Sequence, residues 1–144
     1  MKLYLMRHAE AETSEQAMKQ DLDRRLTEAG RLQARVAANK LKEKLAGGGE
    51  EIGAVVTSPY VRARETADIV ATALGLDGKV FPEKALAPGA DVSKVKQLED
   101  EYRDSGNLLL VGHEPDLGII AGQLMRLNAA RPLAKAEVVE IRLN

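Results

Sequence analysis

The chain contains only two histidines, and each follows a short apolar run that is typical of a buried β-strand. Arg7 and His8 come directly after residues 3–6, and His113 comes just after the Leu-Leu-Leu-Val run at residues 108–111. Imidazole acts as a nucleophile or proton carrier near neutral pH, and guanidinium grips the oxygens of phosphate. The residue types therefore indicate chemistry on an anion such as a phosphoryl group.

Two more arginines extend this pattern. Arg62 lies soon after a third apolar run, residues 52–57, and Arg24 lies in the polar stretch 10–25, which predicts a loop. Ligands of a doubly wound sheet bind beyond the carboxyl ends of its parallel strands. We therefore expect the segments that carry Arg7, His8, Arg62 and His113 to converge on one edge of such a sheet.

The elements that would position these residues alternate along the chain between strands and helices. This order predicts a three-layer α/β/α sandwich with a mostly parallel central sheet. The predicted strands are residues 3–6, 52–57, 80–81, 108–111 and 138–143. The length of the chain predicts a single domain over residues 1–144.

The predicted helices have recognisable starts and stops. Thr27 and Asp91 are expected N-caps, Ser58-Pro59 resembles a helix start, and a further helix follows residues 112–115. The glycine run 47–49 and Gly75 are expected to end the first two helices, and the helix after Asp91 to end near Tyr102. Apolar faces at helical spacing comprise Leu32, Val36, Leu41 and Leu45 in the first helix, Ala63, Ala67, Val70 and Leu74 in the second, and Leu117, Ile120, Leu124 and Leu127 in the last.

Composition excludes several classes of protein. The formal net charge is −1 and the pI about 6.2, so no basic field is present to hold nucleic acid. The absence of cysteine excludes a disulfide framework and a thiolate metal site. Because no apolar stretch is long enough for a membrane span or signal peptide, we expect no membrane association and a cytoplasmic location.

Four segments resemble motifs of the histidine phosphatase superfamily. Residues 5–9 are similar to its Arg-His-Gly motif, and residues 23–30 to its Asp-Arg-Pro-Leu-Thr segment. Residues 57–67 resemble its second arginine motif, and residues 110–115 its second histidine motif. The short chain is most similar to the SixA-type phosphohistidine phosphatases of that superfamily.

The resemblance implies a phosphoglycerate mutase-like fold and a metal-independent, cofactor-free phosphatase. His8 would attack phosphorus and form a covalent phosphohistidine, while Arg7, Arg24, Arg62 and His113 bind the phosphoryl oxygens. The implied substrate is a phosphorylated protein, such as a histidine phosphotransfer domain. A small phosphate monoester is the alternative.

Two departures and one open role accompany the resemblance. Ala9 stands where the family has Gly, and Arg25 where it has Pro. Ala9 would matter if the backbone there required positive φ. Many relatives use a carboxylate to protonate the leaving group, and the candidates are Glu10, Asp91 and Glu114.

Two other classes of site fit some of the same residues. One is a metal site: His8, His113 and Glu10 could form a two-histidine, one-carboxylate triad. The neighbouring arginines argue against it, because their positive charges would repel a metal ion. A non-catalytic relative that only binds phosphoproteins would keep the same fold, and the presence of all four main residues, Arg7, His8, Arg62 and His113, argues against it.

Overall fold

The computed structural model, which describes residues 1–13, 15 and 20–143, contains one five-stranded sheet in that part of the chain. The strands are β1 (Lys2–Arg7), β2 (Ala54–Thr57), β3 (Val80–Pro82), β4 (Leu108–Gly112) and β5 (Val138–Arg142). Their order is β3-β2-β4-β1-β5; the first four strands are parallel, and β5 runs antiparallel to β1 at one edge. The prediction of an α/β fold with a mostly parallel sheet is confirmed.

Helices cover both faces of this sheet. In chain order the α-helices of the described residues are α1 (Glu28–Gly48), α2 (Val61–Leu74), α3 (Val92–Glu101) and α4 (Asp116–Leu124). Alternate side chains of β4 enter different cores: Leu109 and Val111 pack with α1 and α2, whereas Leu108 and Leu110 pack with α3 and α4. This period of two is what gives a parallel strand its continuous apolar sequence.

The buried face of α1 differs from the predicted one. Leu41 and Leu45 are buried, but Leu32 and Val36 are 59% and 45% exposed. The helix instead buries small residues, because α1 packs closely along α2 through alanines on both helices. The buried alanines that the two helices contribute to this cluster are Ala34, Ala38, Ala63, Ala67 and Ala71.

The predicted helix ends are mostly confirmed. Thr27 and Asp91 are N-caps whose side chains accept hydrogen bonds from the amides of Gly30 and Lys94. Gly49 and Gly75 end α1 and α2 in the left-handed conformation, which glycine adopts without strain.

Two helix predictions were wrong in detail. The helix α2 begins at Val61, with Tyr60 as its N-cap, rather than at Pro59. The Ser58 hydroxyl accepts from the amide of Tyr60 and contacts His113, so it meets no amide inside the helix. Leu127 lies beyond the end of α4 and is half exposed.

The segment between β1 and α1 was predicted to be a loop. Residues 14 and 16–19 of that prediction lie outside the described residues. The described part contains an isolated bridge between Ala11 and Leu26 and a 3₁₀ turn at Asp21–Asp23. That turn contacts the start of α2 through hydrogen bonds from Arg62 to Asp21.

A close contact fixes the chain just after His8. The amide of Thr27 donates to the Glu10 carbonyl at 3.1 Å, and a Cβ on Gly30 would lie 2.0 Å from the same oxygen. Only glycine allows α1 to begin this close to the loop.

Across the described part of the chain, no helix is both long and apolar enough to cross a membrane.

Candidate active site

The carboxyl ends of β1, β2 and β4 bring the two imidazoles together. Arg7 is the last residue of β1, and the amide of His8 donates to the carbonyl of Gly112, the last residue of β4, at 3.1 Å. The rings of His8 and His113 lie 5.3 Å apart, centroid to centroid. Arg62 reaches the same place from the first turn of α2, so segments distant in sequence meet at one sheet edge.

His8 is held in the form that a nucleophile requires. Its Nδ1 lies 2.7 Å from the carbonyl oxygen of Ala9, an acceptor, so Nδ1 carries the proton and Nε2 presents a lone pair. Burial, together with the positive charges of Arg62, Arg7 and Arg24, lowers the pKa of His8 to about 4, although the hydrogen bond to the Ala9 carbonyl opposes the shift. The imidazole is therefore neutral at neutral pH.

His113 is also neutral at neutral pH. Burial, followed by the charge of Arg62 and the neighbouring His8, lowers the pKa of His113 to about 3, although Asp21 opposes the shift. Its Nε2 lies 2.8 Å from the Ser58 hydroxyl oxygen, whereas its Nδ1 is buried without a partner. A contact between His113 and an oxyanion therefore uses Nδ1.

Arg7 is aligned by a segment that the sequence analysis did not single out. Its Nη1 donates to the Leu133 carbonyl at 3.2 Å, while its Nε is buried without a partner. The amide of Leu133 in turn donates to Glu114 Oε1 at 3.3 Å. The loop before β5 thus holds one edge of the Arg7 guanidinium and leaves Nε available.

Arg62 and Arg24 share the carboxylate of Asp21. Arg62 is 5% exposed; its Nη1 donates to the Asp21 carbonyl at 2.8 Å and its Nη2 lies 3.3 Å from Oδ2. Arg24 Nε donates to Oδ1 at 2.9 Å, and its Nη1 to the Glu12 carbonyl at 2.9 Å. The ring of Tyr60 lies 5.0 Å beneath the Arg62 guanidinium and 5.2 Å from the His113 ring. These contacts hold two cations beside His8.

Side chains of α2 connect the separate motifs. Thr66 Oγ1 accepts from the amide of Ala9 at 3.1 Å and donates to the Arg62 carbonyl at 2.8 Å. Glu65 Oε1 accepts from the amide of Leu26 at 2.8 Å. The histidine loop and the arginine helix are therefore fixed relative to each other by buried hydrogen bonds.

The two departures from the family pattern fit the structure. Within the described residues, positive φ outside glycine occurs only at Arg126 and Ala136, so Ala9 carries no such strain. The amide of Arg25 donates to Glu12 Oε1 at 3.1 Å, a bond that proline could not make.

The three candidate general acids make structural hydrogen bonds. Glu10 Oε2 accepts from the Thr27 hydroxyl at 2.8 Å, and Asp91 Oδ1 caps α3 through the Lys94 amide at 2.9 Å. Glu114 accepts from the Leu133 amide, as described above. In the part of the chain that the structure describes, no cluster of three or more histidine or acidic side chains is arranged to hold a metal ion.

Sequence reasoning missed Asp21, Ser58 and Tyr60 as members of the site. Ser58 was interpreted as a helix cap, and Asp21 as part of a polar loop. The available signal was position: Ser58 and Tyr60 lie inside the second arginine motif, and Asp21 lies three residues before Arg24.

Comparison with known proteins gives concordant matches. The profile of the histidine phosphatase superfamily (branch 1) matches residues 3–87. An uncharacterized protein of Picosynechococcus is 37% identical over 82% of this chain and 69% of its own length. The phosphohistidine phosphatase SixA of Escherichia coli is 32% identical over 86% of this chain and 74% of its own length.

Solved structures give the same result. The protein histidine phosphatase SixA complexed with tungstate superposes with a TM-score of 0.80 at 26% identity, covering all of this chain and 89% of the other. A phosphoglycerate mutase of Bacillus anthracis has a TM-score of 0.75 at 17% identity over 97% of this chain and 86% of the mutase, which reflects the shared fold.

Proposed function

We propose that this chain, which belongs to the histidine phosphatase superfamily, hydrolyses phosphohistidine on a protein with His8 as the nucleophile. The observation that carries the proposal is a set of unsatisfied groups beside His8. Within the described residues, four buried side-chain polar atoms lack a partner, and three of them are Arg7 Nε, Arg62 Nε and His113 Nδ1. Buried donors without partners are costly and rare, so an anion that accepts from all three would be bound strongly.

The first half of the reaction forms a covalent intermediate. The lone pair on His8 Nε2 attacks phosphorus, and the bond from phosphorus to the substrate imidazole breaks. The substrate ring, protonated on its other nitrogen, leaves with the bonding electrons as neutral imidazole. The Ala9 carbonyl keeps the proton on Nδ1 and holds the ring in orientation. In the second half, water attacks phosphorus, releases His8 and gives inorganic phosphate.

The surrounding cations stabilise the transferring group. Arg7 and Arg62 are permanently charged and can each hold two oxygens, and Arg24 adds a third positive charge. Removing one such contact typically costs about 10²-fold in rate. Burial and the same charges lower the pKa of His8, which keeps the attacking nitrogen Nε2 unprotonated.

The leaving group favours phosphohistidine over an alkyl phosphate. Glu10, Asp91 and Glu114 each accept a hydrogen bond from the protein's own backbone or from Thr27, a structural use of each carboxylate. An alkoxide needs a proton as it departs, whereas an imidazole leaves more readily. The names of the SixA relatives point to the same substrate class, and we propose a phosphorylated histidine phosphotransfer domain as the partner.

A comparison of substrates tests this function. Purified protein is given a phosphohistidine-bearing phosphotransfer domain and, separately, a panel of sugar phosphates, beside a His8→Ala control. We expect faster turnover of the phosphoprotein and none by the control. Faster turnover of the sugar phosphates would assign the site to small monoesters, and equal turnover by His8→Ala would remove His8 from the mechanism.

A further inference from the structure

The hydroxyl group of Ser58 contacts the His113 ring. Ser58 follows β2 directly and is fully buried. Its hydroxyl oxygen lies 2.8 Å from His113 Nε2 and 3.1 Å from the amide nitrogen of Tyr60. These two contacts decide which nitrogen of His113 carries the proton.

The hydrogen-bonding capacity of a hydroxyl group allows one consistent arrangement. The Tyr60 amide can only donate, so it uses a lone pair of the Ser58 oxygen. If His113 Nε2 also donated, the Ser58 hydrogen would be buried with no acceptor among its contacts in the described residues. If the hydroxyl donates to Nε2 instead, every group around Ser58 is satisfied, and a buried unsatisfied donor is avoided.

We infer that Ser58 is a positioning residue that fixes His113 in the tautomer with its proton on Nδ1. This inference rests on the proposed function for its purpose, because Nδ1 is the nitrogen left for a phosphoryl oxygen. With the proton there, Nδ1 donates to the oxyanion; in the other tautomer it would present a lone pair and repel it. In this tautomer, His113 is therefore a hydrogen-bond donor to the phosphoryl oxygen rather than a repulsive neighbour of it.

The tautomer matters because His113 is neutral. Its pKa is held near 3 chiefly by burial, so the ring carries a single proton at neutral pH. A protonated imidazole would donate from both nitrogens and need no such control. Here donation to the substrate depends on where that one proton resides.

The direct test is NMR of the ¹⁵N-labelled full chain without substrate. We expect His113 to show a protonated Nδ1 and an unprotonated Nε2 at pH 7. Ser58→Ala should shift His113 toward the Nε2-protonated form, and Ser58→Thr, which keeps the hydroxyl, should restore the native pattern. A wild-type His113 protonated on Nε2 would overturn the inference, whatever the variants do.

Kinetics supply the second readout. Ser58→Ala should lower kcat/KM for phosphohistidine at least about 10-fold and weaken inhibition by inorganic phosphate, as expected for loss of one oxyanion donor. Ser93→Ala, the same change at an exposed position of α3, is the matched control and should leave both unchanged. Unaltered phosphate inhibition in a folded Ser58→Ala would contradict the inference. If the wild type shows the expected tautomer but no phosphohistidine hydrolysis, the proposed function fails and the assignment of the tautomer stands.

Discussion

Asp21 lies across the outer edge of the Arg62 guanidinium, with its carbonyl 2.8 Å from Nη1 and Oδ2 3.3 Å from Nη2. The same carboxylate accepts from Arg24 Nε at 2.9 Å. It is the one negative charge in direct contact with both of these arginines among the described residues. In the proposed mechanism, a phosphoryl group would bind to arginines that Asp21 already partly neutralises.

Removal of the Asp21 charge should therefore strengthen phosphate binding. Asp21→Asn keeps the backbone contact to Arg62 but loses the carboxylate, which is half exposed and so screened by solvent. We expect the inhibition constant of inorganic phosphate to fall by roughly two- to fivefold, the effect of an exposed ion pair. The control is Asp23→Asn, an exposed change on the same 3₁₀ turn. Weaker phosphate inhibition in Asp21→Asn would show that the carboxylate mainly aligns the arginines.

The two histidines should dominate the pH dependence of stability between pH 5.5 and 7.5. In the folded state the pKa values of His8 and His113 are lowered to about 4 and about 3, mainly by burial, against 6.5 in the unfolded chain. The unfolded state then binds more protons, so the free energy of unfolding falls as pH falls through 6.5.

The size of this effect follows from the histidine count. Because the chain has only two histidines, unfolding near pH 5.5 should take up about two protons. Urea denaturation at a series of pH values measures this slope. His113→Gln should remove about half of it, and a wild-type stability independent of pH in this range would contradict the lowered pKa values.

The three candidate general acids should prove dispensable for a phosphohistidine substrate. Glu10→Gln, Asp91→Asn and Glu114→Gln retain an oxygen that can accept the observed hydrogen bonds. We expect each variant to keep kcat within about threefold, since a true general acid contributes about 10²-fold or more. Single-turnover rates with the phosphoprotein measure this, and a 10²-fold loss in any variant would identify the proton donor.

Two glycines of α1 provide a matched pair for stability. A Cβ on Gly30 would collide with the Glu10 carbonyl at 2.0 Å, whereas one on Gly47 would have no atom within 4 Å. Gly30→Ala should lower the free energy of unfolding by about 1–3 kcal/mol. Gly47→Ala should raise it by as much as ~1 kcal/mol, because alanine has the higher helix propensity. Thermal melts of the two variants compare them, and equal melting temperatures would contradict the close contact at Gly30.

Local sequence signals predicted the helices and strands well. The errors lie where contacts between residues distant in sequence determine the structure. Thr27 and Asp91 were predicted as caps because a cap bonds within its own first turn. Ser58 has the same local signature and its hydroxyl accepts from the nearby Tyr60 amide, but its other partner is His113, 55 positions along the chain. No local pattern contains that partner.

The buried face of α1 was mispredicted for a related reason. Periodicity places large apolar residues inside, yet the close packing of α1 on α2 selects Ala34 and Ala38 and leaves Leu32 and Val36 outside. Asp21 was missed because an acidic residue in a polar loop has no periodic signal. Its role becomes visible only when Arg24 and Arg62 meet.

The central claim is that His8 becomes phosphorylated during turnover. Rapid quenching of the enzyme with ³²P-labelled phosphohistidine protein, followed by peptide mapping, measures this directly. We predict one acid-labile, base-stable phosphoryl group on the peptide containing His8, absent in His8→Ala. Turnover without any labelled enzyme, or label that maps to His113 instead, would contradict the account.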